Sequence, residues 1–145
     1  VEAITEGLAV GTIDAIATDH APHTPESKEL PFDQAPPGML GLEYALALGF
    51  TQLVDNGPMT EADVISRLSW QPAAIASMAD HGRPIAPGQP ANIAVIDPAI
   101  TWTIDSSGGA SRSRNVPYVG REVRGRVRHT ICFGEPTVRD GELTR

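Results

Sequence analysis

The chain has 145 residues, of which 41% are hydrophobic and 20% are charged, so we expect a packed globular core. Its formal net charge of −7 argues against a nucleic-acid partner, because binding to a phosphate backbone needs clustered Lys and Arg. No apolar run approaches the roughly 20 residues of a membrane span, and a single cysteine, Cys132, makes no disulfide framework. We therefore expect a cytoplasmic protein that does not associate with a membrane.

In chain order, the first ten residues are typical of the end of a helix that closes near Gly11. The apolar run at residues 13–17 predicts a short buried strand, since a buried parallel strand need not alternate. Prolines and polar side chains then dominate residues 20–38. This composition predicts an unusually long loop, and such loops in a compact domain tend to be functional.

Helical patterns return after this loop. One buried helix face is predicted from the i, i+3, i+4, i+7, i+8 spacing of Leu42, Ala45, Leu46, Gly49 and Phe50. Thr60 and Asp63 have the spacing of a capping box, which opens a second helix. Pro72 is predicted at the first position of a third short helix over residues 73–79.

The composition changes after Gly82, and strand patterns follow. Strands are predicted at residues 91–96, 101–104 and 127–133, with a last short strand between Gly134 and Gly141. The chain therefore divides into an α/β part, residues 1–81, and a mainly β part, residues 82–145.

Asp19, His20 and His23 lie within five residues, directly after the first predicted strand. Carboxyl ends of parallel strands are where α/β folds build their sites. A carboxylate there can bind a divalent metal ion or accept a proton from a metal-bound water. The same spacing also fits an Asp that caps a turn beside two surface histidines, so this pattern alone leaves both interpretations open.

Other segments extend this pattern. The stretch IATDHAPH (residues 16–23), Lys28 and APPGMLGLE (residues 35–43) resemble the eighth-strand region of the type I dihydroorotases, zinc-dependent TIM-barrel enzymes of the amidohydrolase superfamily. The segments QPA (71–73), GRPIAPGQPANIAVID (82–97), SRN (113–115), PYVG (117–120) and GRV (125–127) fit the same family. The resemblance covers nearly the whole chain. It implies an α/β fold: the C-terminal part of a TIM (β/α)8 barrel, with its last strand and helices, followed by the C-terminal strands of a small composite β domain.

The resemblance also implies roles for individual residues. Asp19 matches the family's catalytic aspartate, which also ligates zinc and passes a proton from the metal-bridging hydroxide to the leaving amide nitrogen. His23 matches the histidine that contacts the substrate carboxylate. Pro37 and Gly38 match the dipeptide whose backbone contacts the pyrimidine ring; because proline has no N–H, a contact through Pro37 must use its carbonyl. His20 has no matched role, and we expect it to support the site structurally.

The implied activity is the reversible hydrolysis of dihydroorotate to N-carbamoyl-aspartate in pyrimidine biosynthesis, with two Zn²⁺ ions. Only Asp19 of the metal ligands is matched, since the chain has no His-x-His. We therefore expect a C-terminal fragment that is inactive alone. The alternatives are another cyclic amidohydrolase, such as an allantoinase or hydantoinase, or a non-catalytic dihydroorotase-like subunit. Expected partners are the small-molecule substrate and either a second copy of the chain or aspartate transcarbamoylase.

Overall fold

The first part of the fold is a set of short helices and connecting segments. The computed structural model describes residues 1–144. Helix α1 spans Glu2–Ala9 and ends near Gly11, as predicted; Gly11 has a left-handed φ of 80°. The long loop is also present, and it contains one helical turn, α2, at Pro25–Lys28.

The predicted strand at residues 13–17 is not formed within the part of the chain that the structure describes. A strand is defined by a ladder of hydrogen bonds to a neighbouring strand, whereas this segment donates only two backbone hydrogen bonds, from Ile13 to Gly7 and from Ile16 to Arg67, both at 2.9 Å and neither to a strand. The apolar side chains Ile13 and Ile16 instead pack against the buried cluster beneath the helices. A parallel bridge between His20 and Met39 follows immediately.

Two longer helical runs form the next layer. The first comprises α3, Ala45–Gly49, and a π-helical segment, Phe50–Asp55. The predicted buried face is wrong at Leu42, which is 66% exposed, because the helix starts only at residue 45. The fully buried side chains here are Tyr44, directly before α3, and Ala47 and Phe50 within the run. Half-buried side chains of the same run also pack against the core: Leu46, Leu48, Leu53 and Val54.

The second run begins with the predicted capping box, in which Thr60 and Asp63 bond reciprocally. It comprises α4 (Glu61–Ile65), a π-helical segment (Ser66–Trp70) and α5 (Gln71–Ile75). Pro72 lies in the first turn of α5 as expected, but the helix ends at residue 75 and not 79. The reason is Ser77, whose left-handed φ of 55° stops the helix. Among the described residues no helix is long and apolar enough to cross a membrane.

An antiparallel sheet in the order β1-β2-β3-β4 forms the second part: Ile93–Thr103, Glu122–Cys132, Glu135–Arg139 and Glu142–Leu143. The two strands predicted at 91–96 and 101–104 are one strand, β1, with a register shift between Asp97 and Thr101. Both short hairpins turn through two residues with positive φ, the geometry of a type I′ turn. These are Phe133–Gly134 and Asp140–Gly141.

Side chains from both parts share the core. One buried cluster joins α3 to the sheet and consists of Leu40, Tyr44, Ala47, Ile104, Val116 and Val123. A second lies beneath the helical runs and consists of Leu8, Phe50, Met59 and Val64. The division into residues 1–81 and 82–145 stays a prediction.

The sheet packs tightly on the helical layer where the ring of Phe50 meets the backbone of Gly125. Gly125 has a φ of 88°, and a Cβ built there would lie 2.6 Å from Phe50 Cδ2. Only glycine fits both the backbone conformation and the available space. This contact therefore fixes how closely β2 packs on the helix.

We expect Gly125→Ala to lower the free energy of unfolding by about 3 kcal/mol, because backbone strain and overpacking add. Gly134→Ala is the matched control: its φ is 86° but nothing lies within 4 Å of the added Cβ. The control should cost only the backbone strain, ~1 kcal/mol. Urea unfolding of the protein that carries this chain measures both. Equal losses in the two variants would contradict the steric role of Phe50.

Candidate active site

Asp19 has the most unusual backbone of the sequence-predicted site residues. Its φ is 42°, in the left-handed region that a non-glycine residue adopts only at a cost of ~1–3 kcal/mol. The side chain is exposed, and its carboxylate makes no hydrogen bond or ion pair with residues 1–144. The structure thus holds a strained backbone there while leaving both carboxylate oxygens free to react or to bind.

His20 anchors the chain next to Asp19. Its Nδ1 accepts hydrogen bonds from the N–H groups of Gly41 and Leu42, both at 3.3 Å. An accepting Nδ1 requires a lone pair there, so the ring proton of the neutral form is on Nε2. With the main-chain bond from Ala21 N–H to the Met39 carbonyl, this ties the segment after Asp19 to the start of the α3 region. These contacts agree with the structural role expected of His20.

His23 contacts both members of the predicted substrate-binding dipeptide. Its Nε2 lies 2.9 Å from the Pro37 carbonyl oxygen and donates to it when protonated. A Cβ on Gly38 would lie 2.7 Å from Ala21 Cβ and 3.0 Å from His23 Nε2, and the Gly38 φ is 119°. Gly38 is therefore required for close packing of the two loop segments.

Two residues that sequence reasoning left without a role hold this loop together. Lys28 Nζ donates to the carbonyls of Pro36, at 2.9 Å, and Gly38, at 3.2 Å. Asn115 accepts from His23 N–H at 3.1 Å and donates to the Ala21 carbonyl at 2.9 Å. In the sequence, both residues occur only within segments that resemble the dihydroorotases, and no spacing connects residue 115 to residues 21–23.

The segment that carries Asn115 is itself fastened at its other end. Glu43 accepts from the N–H groups of Ala110 and Ser111, at 3.0 and 3.1 Å. Asp105 accepts from Ser107, and these hydrogen bonds hold the pKa of the Asp105 carboxyl below its usual range. Burial raises the pKa of the neighbouring Tyr44 phenol. The hydrogen bonds from Asp105 and Glu43 therefore hold residues 105–111 in place beside the start of α3.

A surface depression lies at the centre of these residues. It is lined by Thr18, Asp19, Gly38, Met39 and Pro117. Asp19 and Gly38, which are 19 positions apart in the sequence, thus face one shared space, and Pro37 and His23 adjoin it through Gly38. A small ligand seated in this depression would have a free carboxylate on one side and a polar backbone loop on the other.

A metal ion does not fit the described residues alone. Residues 1–144 contain no group of three or more His, Cys, Asp or Glu side chains able to hold one. His20 Nδ1 and His23 Nε2 are both engaged with backbone groups. Among residues 1–144, Asp19 is the one carboxylate that lines the depression, and its oxygens have no protein partner.

The chain is similar in sequence to known proteins over almost its full length, although no family model matches it. It is 49% identical over 144 residues to a dihydroorotase of Streptomyces coelicolor and 42% identical over 141 residues to one of Mycobacterium tuberculosis. These alignments cover 99% and 97% of this chain, but only 34% and 33% of the relatives. The chain therefore spans about a third of the length of the curated relatives it matches.

Solved structures give a consistent fold. A D-hydantoinase (dihydropyrimidinase) from Thermus sp. matches with a TM-score of 0.89 and 28% identity, over 99% of this chain and 32% of that one. An L-hydantoinase from Arthrobacter aurescens matches with a TM-score of 0.88 and 27% identity, over 98% and 32%. The matched region is the C-terminal part of these amidohydrolase TIM-barrel enzymes, which confirms the predicted fold class. By sequence and fold the chain belongs to the dihydroorotase family of amidohydrolases, and it corresponds to the C-terminal part of the family's members.

Proposed function

We propose that the protein carrying this chain is a dihydroorotase, which opens the cyclic amide of dihydroorotate to N-carbamoyl-aspartate and closes it again in pyrimidine biosynthesis. The observation that carries the proposal is the 42–49% identity to proteins named dihydroorotase over nearly the whole chain. The free carboxylate and the polar loop at one depression are consistent with it.

Asp19 is the proposed acid and base. Amide hydrolysis removes a proton from the attacking water and adds one to the leaving nitrogen, so a single carboxylate can accept the first and supply the second. Asp19 suits this task because no residue among 1–144 occupies its oxygens. Its left-handed backbone fixes the direction in which the side chain leaves the loop.

The substrate-binding residues proposed are His23, Pro37 and Gly38. The carbonyl of Pro37 already accepts from His23, but a carbonyl has two lone pairs and can also accept a ring N–H. The remaining nitrogen of His23, Nδ1, is the one that would face the substrate carboxylate. It donates to that carboxylate when the ring carries both protons.

Dihydroorotases and hydantoinases are in general metal-dependent amidohydrolases. We propose that Asp19 is one ligand of two Zn²⁺ ions and that the other ligands come from residues outside this chain. Zinc supplies a water of lowered pKa, a chemistry that this chain's own side chains do not provide.

A hydantoinase-like activity is the second candidate, because the structural matches include D-hydantoinases and an L-hydantoinase. Those matches are 19–28% identical to this chain, well below the dihydroorotases. A non-catalytic subunit is less well supported, since it has no need of the strained, unpartnered Asp19. The partners expected from the sequence, a second copy or aspartate transcarbamoylase, stay proposals.

Asp19→Asn in the full-length protein should lower kcat on dihydroorotate by about 100- to 10,000-fold, because an amide cannot accept the proton. Asp14→Asn, which changes another exposed carboxylate five residues earlier, should leave kcat unchanged. Circular dichroism should show the same fold in both. Retention of full turnover by Asp19→Asn would refute the role of Asp19.

His23→Ala should raise the KM for dihydroorotate about 10- to 100-fold, since a hydrogen bond to a charged group contributes ~1.5–3 kcal/mol. The KM for dihydrouracil, which lacks the carboxylate, should change far less. His81→Ala is the control, because His81 contacts Phe133 and no residue of the depression. Equal effects of His23→Ala on both substrates would exclude the carboxylate contact.

The purified 145-residue chain alone should show no turnover and no tightly bound zinc, because residues 1–144 bring together no three His, Cys, Asp or Glu side chains that could hold a metal ion. Metal analysis and a dihydroorotate assay, run beside the full-length protein, measure this. Two zinc ions per purified chain would contradict the expected ligand supply.

A further inference from the structure

The Asn115 side chain spans two separate segments of the active-site loop. Its Oδ1 accepts from His23 N–H at 3.1 Å, and its Nδ2 donates to the Ala21 carbonyl at 2.9 Å and the Gly38 carbonyl at 3.4 Å. Its own carbonyl accepts from Leu40 N–H at 3.1 Å. One residue of the C-terminal part therefore touches both sides of the loop that contains His23 and Gly38.

We propose that Asn115 is a positioning residue for substrate binding, which acts through His23 and Gly38 and has no contact with the substrate. The inference rests on the proposed function only for its kinetic readout. In this role, Asn115 fixes the distance between His23 and the backbone of Gly38.

The chemistry of the amide explains why this position needs asparagine. Ala21 C=O and His23 N–H flank Pro22 and face the same side chain, so the partner must donate and accept at once. A carboxamide does this as a neighbouring strand's peptide would. An aspartate of the same size keeps the acceptor but places an anionic oxygen against the Ala21 carbonyl, which is repulsive.

The residues on either side of Asn115 are held by core packing and hydrogen bonds. The next residue, Val116, is 9% exposed in the cluster that includes Leu40, Tyr44 and Ile104. Glu43 holds the preceding segment through two backbone N–H groups. The core that joins helix α3 to the sheet therefore sets the position of the Asn115 amide. The hydrogen bonds of this amide in turn set the positions of Ala21 and His23 in the loop.

Asn92 offers a matched control within the same chain. Its Oδ1 accepts from Phe133 N–H at 2.7 Å, and its Nδ2 donates to the Asp80 carbonyl at 2.9 Å. The side chain thus makes the same two kinds of bond to backbone groups, but none to the loop or the depression. A general loss of stability from removing such an amide is measured by Asn92→Ala.

The experiment uses the full-length protein with Asn115→Ala, Asn115→Asp, Asn92→Ala, His23→Ala and the double variant of His23 and Asn115. We expect both Asn115 variants to lower kcat/KM on dihydroorotate about 10- to 100-fold, mainly through KM, because misplacing a binding group by about 1 Å has effects of this size. Asn92→Ala should change kcat/KM less than about twofold even if it lowers the Tm as much. In the double variant, the loss should not exceed that of His23→Ala, since residues acting through one contact are not additive.

Additive losses in the double variant, or an equal loss of kcat/KM in Asn92→Ala, would overturn the positioning role. If the unmodified full-length protein does not turn over dihydroorotate, the proposed function fails, and hydrogen exchange then decides the inference by itself. Peptides covering residues 20–24 and 38–41 should exchange faster in Asn115→Ala than in the unmodified protein, and remain unchanged in Asn92→Ala. Unaltered exchange of both peptides in Asn115→Ala would refute the inference.

Discussion

The position of strand β2 against the helical layer depends on one close contact, that of the Phe50 ring with the backbone of Gly125. Arg124, which precedes Gly125, reinforces the contact. Its Cζ lies 5.3 Å from the centroid of the Phe50 ring, and its Nε donates to both carboxylate oxygens of Asp55, at 2.7 and 2.8 Å. Glu61 and the carbonyl of Pro98 complete its partners. The hydrogen bond to Asp55, and to a smaller extent the one to Glu61, raises the pKa of Arg124. Its side chain is 22% exposed, so the ion pairs contribute at most about 1 kcal/mol each, whereas burying Phe50 contributes ~2–3 kcal/mol.

This packing matters for the site because the segment that follows β1 returns across α3. Ile104 and Val116 enter the same core cluster as Tyr44, and that fixes both ends of the segment between them. The loop around His23 is in turn held by side chains that bond to backbone groups: His20, Lys28 and Asn115. These three polar side chains are thus used for structure. The Asp19 carboxylate, in contrast, makes no hydrogen bond or ion pair with residues 1–144.

Local rules predicted the elements that depend on neighbouring residues. The Thr60–Asp63 capping box and the last short strand, between Gly134 and Gly141, formed as expected, because the hydrogen bonds of the box and the left-handed turn residues beside the strand lie within a few positions. The prediction that Leu42 is buried was wrong, because the helix starts after it. The two strands predicted in residues 91–104 are one strand, because the pairing with β2 resumes after the irregular stretch at Pro98. Residues 13–17 have strand composition but no adjacent strand among the described residues.

For the site, the sequence by itself determined only the residue types and their spacing: the carboxylate of Asp19, the histidine four residues later and the Pro37-Gly38 dipeptide, whose roles the family resemblance predicts. The tertiary structure alone decided which groups are free and which are occupied. It revealed that His20 and His23 are bonded to backbone and that residue 115, more than 90 positions away, holds the loop. The physical reason is that a hydrogen bond depends on distance in space, and the core that brings Val116 to Leu40 forms only when the helices and the sheet pack together.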